Sequence, residues 1–379
     1  MTIGVGIIGA GIGAQHLAGY RQWPDRYTVR WMCDLDRRRA EAAVAGLDRT
    51  DGAHEANGQD IPVTEDIADL LADPACAIVD ICVPPHLHLP LTLRALEAGK
   101  TVICEKPLVT SLAEMDALEA AVERSAGRVF PVFQYRYGLG MAQLRAVLAA
   151  GLAGPPQVAT LETHWDRGAD YYATGWRGTW AGERGGAIVT HAIHIHDLLR
   201  EAFGPIDTVQ AQLATRINPI DTDDCAALVM RMACGALVTS SVTLGAAGNH
   251  SRLRLVYRDV TVDSDLAPYA PAAAGWRFTA RNPQHQAHID AALAQVVPVP
   301  LGFAGYLGAV ADTLEGTLDG AQINPIPAVT LADARAALSL ITATYASARF
   351  GTIEPVALTR DHPLYASWQP DTAPKELLS

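Results

Sequence analysis

The chain is short of positive charge. Lys and Arg number 29 against 41 Asp and Glu, a formal net charge of −12. A surface that tracks nucleic-acid phosphates needs clustered cations, so the balance argues against DNA or RNA as partners. The one basic run, Arg37-Arg38-Arg39, opens a helical stretch with Glu41 nearby and reads as a solvated helix face. Long apolar runs are also missing. No window approaches the ~20 apolar residues of a membrane span. Met1-Thr2 passes straight into a strand, without a basic and then apolar leader. The expectation is a cytoplasmic protein with no membrane partner. No C-x-x-C pair occurs among the cysteines at 33, 76, 82, 104, 225 and 234, which predicts buried, reduced thiols. Aromatics are sparse, at 6%, but 49% of the 379 residues are hydrophobic, enough for two cored domains.

What is present is a change of period. Apolar strands near 3–8, 28–33, 77–83, 101–104 and 129–133 alternate with helices near 14–22, 37–46, 65–72, 88–98 and 111–125. A polar loop covers 48–60. Continuous apolar strands between helices indicate a parallel sheet covered on both faces. After about residue 135 come helices near 139–150 and 186–203. Alternating strands fall near 157–165, 207–216, 224–232, 236–244, 252–258 and 260–264. That pattern predicts a mostly antiparallel open sheet. Residues 265–284 read as a Pro- and Ala-rich excursion, with helices returning near 285–296, 303–318 and 331–349. The expected class is α/β: a Rossmann domain over 1–134 and an α/β domain over 135–379.

Gly9-Ala10-Gly11-Ile12-Gly13-Ala14 fits G-x-G-x-x-[G/A] directly after the first strand, with Asp34 ending the second. All three conditions together mark a dinucleotide site. Gly9 makes the turn, Gly11 lets a pyrophosphate approach the backbone, and Ala14 is small enough for helix–sheet packing. Free N–H groups at the helix start, from Ile12 and Gly13 onward, face the phosphates. Asp34 suits ribose hydroxyls and repels a 2′-phosphate, so NAD is favoured over NADP, a preference the three arginines could soften.

Ligands of open α/β sheets sit at the carboxyl ends of strands. Two segments fall there. One runs through Val83, Pro84 and His88; the other is Glu105-Lys106-Pro107. A lysine held beside a nicotinamide ring can stabilise alkoxide character. Further on, Gly185 to Asp197 places Thr190, His194 and Asp197 on one helix face at spacings of four and three. A neutral His194 there could take a hydroxyl proton, with Thr190 bonding the same substrate. His191 and His194 could instead share a metal with His196 or Asp197. No further ligand cluster accompanies them, and no metal is predicted.

These blocks, in this order and joined by Ala95-Leu96-Glu97-Ala98-Gly99-Lys100, resemble the glucose–fructose oxidoreductase/inositol dehydrogenase (Gfo/Idh/MocA) family. The resemblance implies the two-domain architecture above, with dimers or tetramers formed through the second sheet. It implies cofactor contacts along Gly9–Ala14, Asp34, Val83, Pro84, His88, Glu105 and Lys106. Lys106 matches the family's active-site lysine and His194 the histidine of its D-x-x-x-H element. Thr190 replaces that element's Asp, and Val83 and Pro85 replace residues of the family's T-P-N segment. The substrate wall is expected from Gln134, Arg136, Trp165, Asp166, Tyr172, Trp176, Arg177 and His191, aromatic faces beside polar groups that suit a polyhydroxylated ring. The activity expected is NAD-dependent oxidation of a secondary alcohol in a sugar, sugar derivative or cyclitol. Two other readings stay open. One is an enzyme that retains NAD for a non-redox net reaction such as glycosidic cleavage. The other is a non-catalytic nucleotide-binding regulator.

Overall fold

A computed structural model describes residues 2–46, 61–316 and 326–370. The polar loop expected at 48–60 lies outside the described residues. The first part of the chain runs β1 (Ile3–Ile8), α1 (Gly13–Arg21), β2 (Tyr27–Cys33), α2 (Arg37–Gly46), β3 (Val63–Thr64), α3 (Ile67–Ala72) and β4 (Ile78–Ile81). It continues through α4 (His88–Glu97), β5 (Thr101–Cys104), α5 (Leu112–Glu123) and β6 (Val129–Pro131). The six strands are parallel in the order β3-β2-β1-β4-β5-β6. The order reverses between β1 and β4, so the segments leaving those strands part and open a crevice at their carboxyl ends. The glycine loop leaves β1, residues 82–87 leave β4, and residues 105–107 leave β5. Sequence patterning missed β3, because two residues carry no period.

β4 is buried throughout, as a strand covered on both faces must be. Its one polar member, Asp80, has no exposure, so its carboxylate must be satisfied inside the protein. Polar helix starts are local: Ser111 accepts from the Glu114 N–H at the head of α5.

The second part holds α6 (Leu139–Ala149), β7 (Pro156–Asp166), α7 (Ala169–Tyr172), a π-helical turn (Ile188–Ala192) and α8 (Ile193–Phe203). Then come β8 (Ile206–Ala214), β9 (Cys225–Met232), β10 (Leu237–Thr243), β11 (Gly245–Tyr257), β12 (Val260–Asp263) and β13 (Arg277–Ala280). The described chain ends with α9 (Pro283–Leu293), α10 (Gly302–Glu315), α11 (Leu331–Phe350) and β14 (Glu354–Pro355). Eight strands order as β13-β12-β11-β7-β10-β9-β8-β14, antiparallel except for the β7/β10 pair. Two readings need correction. β11 begins at Gly245 rather than 252, and the excursion at 265–284 contains β13. The start of β11 is Gly-rich and mostly exposed, so it shows no alternation, and β13 alternates but over only four residues.

Along β9, Ala226, Leu228, Met230 and Met232 turn inward while Val229 is 55% exposed. α8 and α11 pack on the inward face. All six cysteines are free, and four are buried. Among the described residues, no helix is long and apolar enough to cross a membrane.

The chain returns to its first sheet near the end. α10 lies on α1. A Cβ on Gly19 would meet Leu307 at 3.1 Å and Phe303 at 3.2 Å. Trp23 Nε1 donates to the Ala304 carbonyl at 2.8 Å, and the Tyr27 hydroxyl to the Leu307 carbonyl at 2.8 Å. Leu307 is fully buried at this seam. Leu307→Ala is expected to lower unfolding free energy by about 2–5 kcal/mol in a urea titration. A loss under ~1 kcal/mol would mean α10 is not part of this core.

Candidate active site

At the nucleotide end, Gly9 has φ +99°, and a Cβ there would meet the Cys82 carbonyl at 2.3 Å. Only glycine fits that conformation and that approach. A Cβ on Gly11 would meet nothing but the end of the Arg39 side chain, at 2.9 Å, so space stays open over the loop. α1 has no side-chain cap, so the N–H groups of its first turn have no side-chain acceptor. Asp34 Oδ2 accepts from the Ala10 N–H at 2.7 Å, and Oδ1 from the Asp36 N–H at 3.0 Å. These features fit a dinucleotide: an uncapped helix start for the phosphates and a carboxylate held beside them. One assignment changes. Gly13 is the residue the sheet requires to be small, because its Cβ would meet Ile7 at 2.9 Å, while Ala14 is half-buried.

Beneath the loop lies a buried ionic cluster that sequence reasoning missed. His16, from α1, is fully buried. Its Nδ1 lies 2.9 Å from Asp80 Oδ2 and its Nε2 lies 3.1 Å from Glu105 Oε1. The Tyr20 hydroxyl also donates to Asp80, at 2.9 Å. Burial, the largest single effect, would lower the His16 pKa, but the charge and hydrogen bond of Asp80, with Cys82 beside it, together hold the imidazole well above its ordinary value. Burial likewise pushes Glu105 up, yet its bond to His16 holds it near 2. An imidazolium between two carboxylates is the arrangement that satisfies all three. The Glu105 side chain is therefore turned away from a cofactor, and its Oε2 accepts from the Lys106 N–H at 3.1 Å. His88 is also committed: its ring nitrogens lie 2.7 Å from the Pro107 carbonyl and 2.8 Å from the Val83 carbonyl. It straps the turn after β4 to the turn after β5, so its role is to shape the Val83-Pro84 segment rather than to touch ligand.

Lys106 lies two residues past the end of β5, before a cis peptide to Pro107. Its Nζ crosses to the histidine-bearing segment and donates to the Thr190 carbonyl at 2.9 Å. Burial lowers its pKa, Glu105 partly opposes that, and Arg177 adds to the lowering. The segment it meets is anchored by Asp223, whose carboxylate accepts from the Gly186 N–H at 3.1 Å, the Ile188 N–H at 3.2 Å and the Tyr345 hydroxyl at 2.5 Å. A Cβ on Gly186 would lie 1.9 Å from the Asp223 carbonyl, which explains that glycine.

The π turn at Ile188–Ala192 corrects the single-face expectation for Thr190, His194 and Asp197, because i→i+5 bonding breaks the 3.6-residue spacing. Thr190 donates to the Gly186 carbonyl at 2.9 Å, since a carbonyl can only accept. His191 Nδ1, 2.6 Å from the same hydroxyl oxygen, must then carry a proton and donate, leaving Nε2 with its lone pair. His194 stacks on Tyr135 with ring centroids 4.3 Å apart, and its buried Nδ1 has no protein partner. Burial, and then the Lys106 charge, lower His194 to about 3; the same causes hold His191 well below its ordinary value. Both imidazoles are neutral acceptors beside an ammonium.

Asp197 is not part of this group. Arg136 takes both its oxygens, at 2.7 and 2.5 Å, and also pairs with Glu201 at 3.0 Å. Arg136 is 3% exposed, so it joins α8 to the core instead of lining a substrate wall. The other expected wall residues cluster better. The Trp165 ring lies 5.0 Å from His191, with Tyr171 at 5.7 Å, and Arg177 lies over Tyr171 and Trp176. Tyr172 lies edge-on to Tyr171 at 5.0 Å. Gln134 presents a buried Oε1 without a protein partner. Asp166 is exposed at the end of β7. Sequence reasoning missed Arg167 and Glu183, which stand among these groups. Among the described residues, the clusters whose potential metal-ligating atoms lie within 4.8 Å of one another are His16–Asp80–Cys82 and Glu162–His164–His250, without His191 or His194.

Comparison with known proteins covers both sheets. Residues 3–133 match the profile described as oxidoreductase family, NAD-binding Rossmann fold, and residues 141–263 match the GFO/IDH/MocA C-terminal domain. A levoglucosan dehydrogenase of Pseudarthrobacter phenanthrenivorans is 27% identical over 66% of this chain and 70% of its own length. An inositol 2-dehydrogenase of Salmonella typhimurium is 32% identical over 41% of this chain and 44% of its own. The aligned stretches of the first curated relatives span 32% to 70% of their lengths. Among solved structures, the WlbA dehydrogenase of Chromobacterium violaceum, in complex with NADH and UDP-GlcNAcA, superposes with a TM-score of 0.76. It is 26% identical, over 95% of this chain and 97% of its own.

The buried cluster makes a stability prediction. A group whose folded pKa is raised adds stability that is full below its unfolded pKa of ~6.5 and is lost as pH rises through the folded value. His16→Gln should therefore cost about 3 kcal/mol near pH 6. The gap from the parent protein should narrow as pH rises above the unfolded value, as urea midpoints would show. A gap that widened with pH would contradict a charged His16.

Proposed function

The chain belongs to the Gfo/Idh/MocA family of oxidoreductases, and from that premise we propose that it oxidises a secondary alcohol of a sugar, sugar derivative or cyclitol with NAD. One observation carries the reading. The Lys106 ammonium, at the mouth of the nucleotide crevice, bonds directly to the segment that bears two neutral imidazoles.

The nicotinamide, when bound, supplies a hydride acceptor or donor. The protein's own groups do the rest. The glycine loop and the start of α1 would hold the phosphates, and Asp34 the adenosine ribose. Lys106 exchanges its bond to the Thr190 carbonyl for the substrate oxygen and stabilises negative charge there as the C–H bond breaks. His194 accepts the hydroxyl proton. It is a weak base in the empty site, because Lys106 and burial both oppose its charged form. Alkoxide character on the substrate offsets that opposition at the moment the proton moves. Thr190 acts as a positioning residue, fixing the His191 ring through its hydroxyl. Trp165 and Tyr171 offer apolar faces for sugar C–H groups. The relatives named for levoglucosan and inositol support a polyol substrate. The outward face of the second sheet, with Val158, Val229 and Leu237 about half exposed, supports assembly into a dimer or tetramer.

A panel of sugars and inositols should give NADH absorbance with NAD and less with NADP. Lys106→Ala should lower kcat/KM by at least ~10³-fold and His194→Ala by about 10²–10⁴-fold, with nucleotide affinity retained. Lys106→Ala with unchanged turnover would remove the lysine from the mechanism.

A further inference from the structure

The wall beside His191 carries more positive charge than a neutral sugar needs. Arg167 and Arg177 flank the Tyr171 ring, their guanidinium carbons 5.1 and 4.1 Å from its centroid. Arg167 also lies 4.9 Å from the Trp165 centroid and 5.4 Å from that of Tyr269. Stacking of this kind fixes the plane of a guanidinium and leaves its edge for hydrogen bonds. The edges are incompletely used. Arg167 donates through Nη1 to the Asp166 carbonyl at 2.7 Å and, at 3.5 Å, to Asn249 Oδ1, and through Nη2 to the Tyr269 hydroxyl at 2.9 Å, but its buried Nε meets no acceptor. Arg177 bonds the Tyr171 hydroxyl through Nη1 and lies 3.5 Å from Glu183 Oε1.

Counter-charge is scarce. Lys106 adds a third cation, felt together with both arginines at His191. Glu105 is turned inward onto His16. Asp166 is exposed to solvent at the end of β7, and Glu183 is the buried acidic group at the wall, where burial favours its neutral form and its Oε2 is taken by the Gly178 N–H at 2.6 Å. A threonine, Thr190, stands where the family resemblance places an aspartate. A buried N–H without an acceptor is costly, and cations gathered at one wall repel one another, unless a ligand completes them.

We infer that the polyol oxidised here carries an oxyanion, a carboxylate or a phosphate ester, bound between Arg167 and Arg177 at the end away from the carbon that faces Lys106. The inference rests on the dehydrogenase reading. It makes the two arginines specificity determinants: each presents a planar fork matched to an oxyanion. Discrimination then comes from leaving that fork unpaired when the anion is missing.

The test uses matched pairs with NAD: glucuronate against glucose, galacturonate against galactose, gluconate against sorbitol, and glucose 6-phosphate as the phosphate arm. At least one acidic sugar should exceed its neutral partner by ~100-fold or more in kcat/KM. Arg167→Gln and Arg177→Gln should each cut that ratio by at least ~10-fold, chiefly through KM, and added salt should erode it. The preferred arm, carboxylate or phosphate, identifies the anion. Neutral sugars turned over as well as acidic ones would overturn the inference and leave the dehydrogenase intact. If nothing is oxidised, thermal shift with the same acidic sugars decides. An Arg167-dependent rise in Tm would keep the oxyanion site and overturn the dehydrogenase reading, whereas no rise would overturn both.

Discussion

The His16 imidazolium, closed between Asp80 and Glu105, is the contact on which the rest of the site depends. Its three members come from α1, β4 and the turn that leaves β5, the elements that adjoin the glycine loop, the Val83-Pro84 turn and Lys106. A charge buried this completely persists only when its partners are fixed in place. The cluster therefore sets the relative height of the three strand exits. His88 repeats the theme one layer out, bonding one turn to the next. The ligand crevice is thus formed by polar bonds under its floor as much as by the sheet itself.

Lys106 then joins the two halves of the chain. Through Lys106 and the Thr190 carbonyl, a residue beside the first sheet touches the segment that Asp223 anchors to the second. That segment is irregular, a π turn opening into α8. Such turns are common at functional sites because they leave backbone groups free for other partners. Here the Thr190 carbonyl is one such group. It gives the lysine an acceptor within the protein.

The glycine loop was legible in the sequence because backbone geometry dictates glycine there, and local chain order records that. Lys106 was legible because its neighbours Glu105 and Pro107 form a short, fixed string. The parallel sheet followed from the period of the apolar residues. Other features could not be read this way. His16 is a single histidine on a helix, and nothing local reveals that Asp80 and Glu105 will meet it. Arg136 looked available for ligand until Asp197, Glu201 and Asp333 converged on it. The helical face proposed for Thr190, His194 and Asp197 assumed 3.6 residues per turn, and the π turn breaks that rule. Pairings between distant positions leave no periodic trace, and they are what separated Arg167 from Arg136.

The packing of α10 on α1 bears on the order in which the chain becomes structured. During synthesis, the residues that build the first sheet emerge long before residues 302–315. Until then Gly19, Trp23 and Tyr27 lack the helix that covers them and the carbonyls that accept from Trp23 and Tyr27. The nucleotide-binding half therefore leaves the ribosome with an uncovered apolar flank, the kind of surface on which nascent chains aggregate or recruit chaperones. Its folding is completed from the far end of the same polypeptide, after the second sheet has been made.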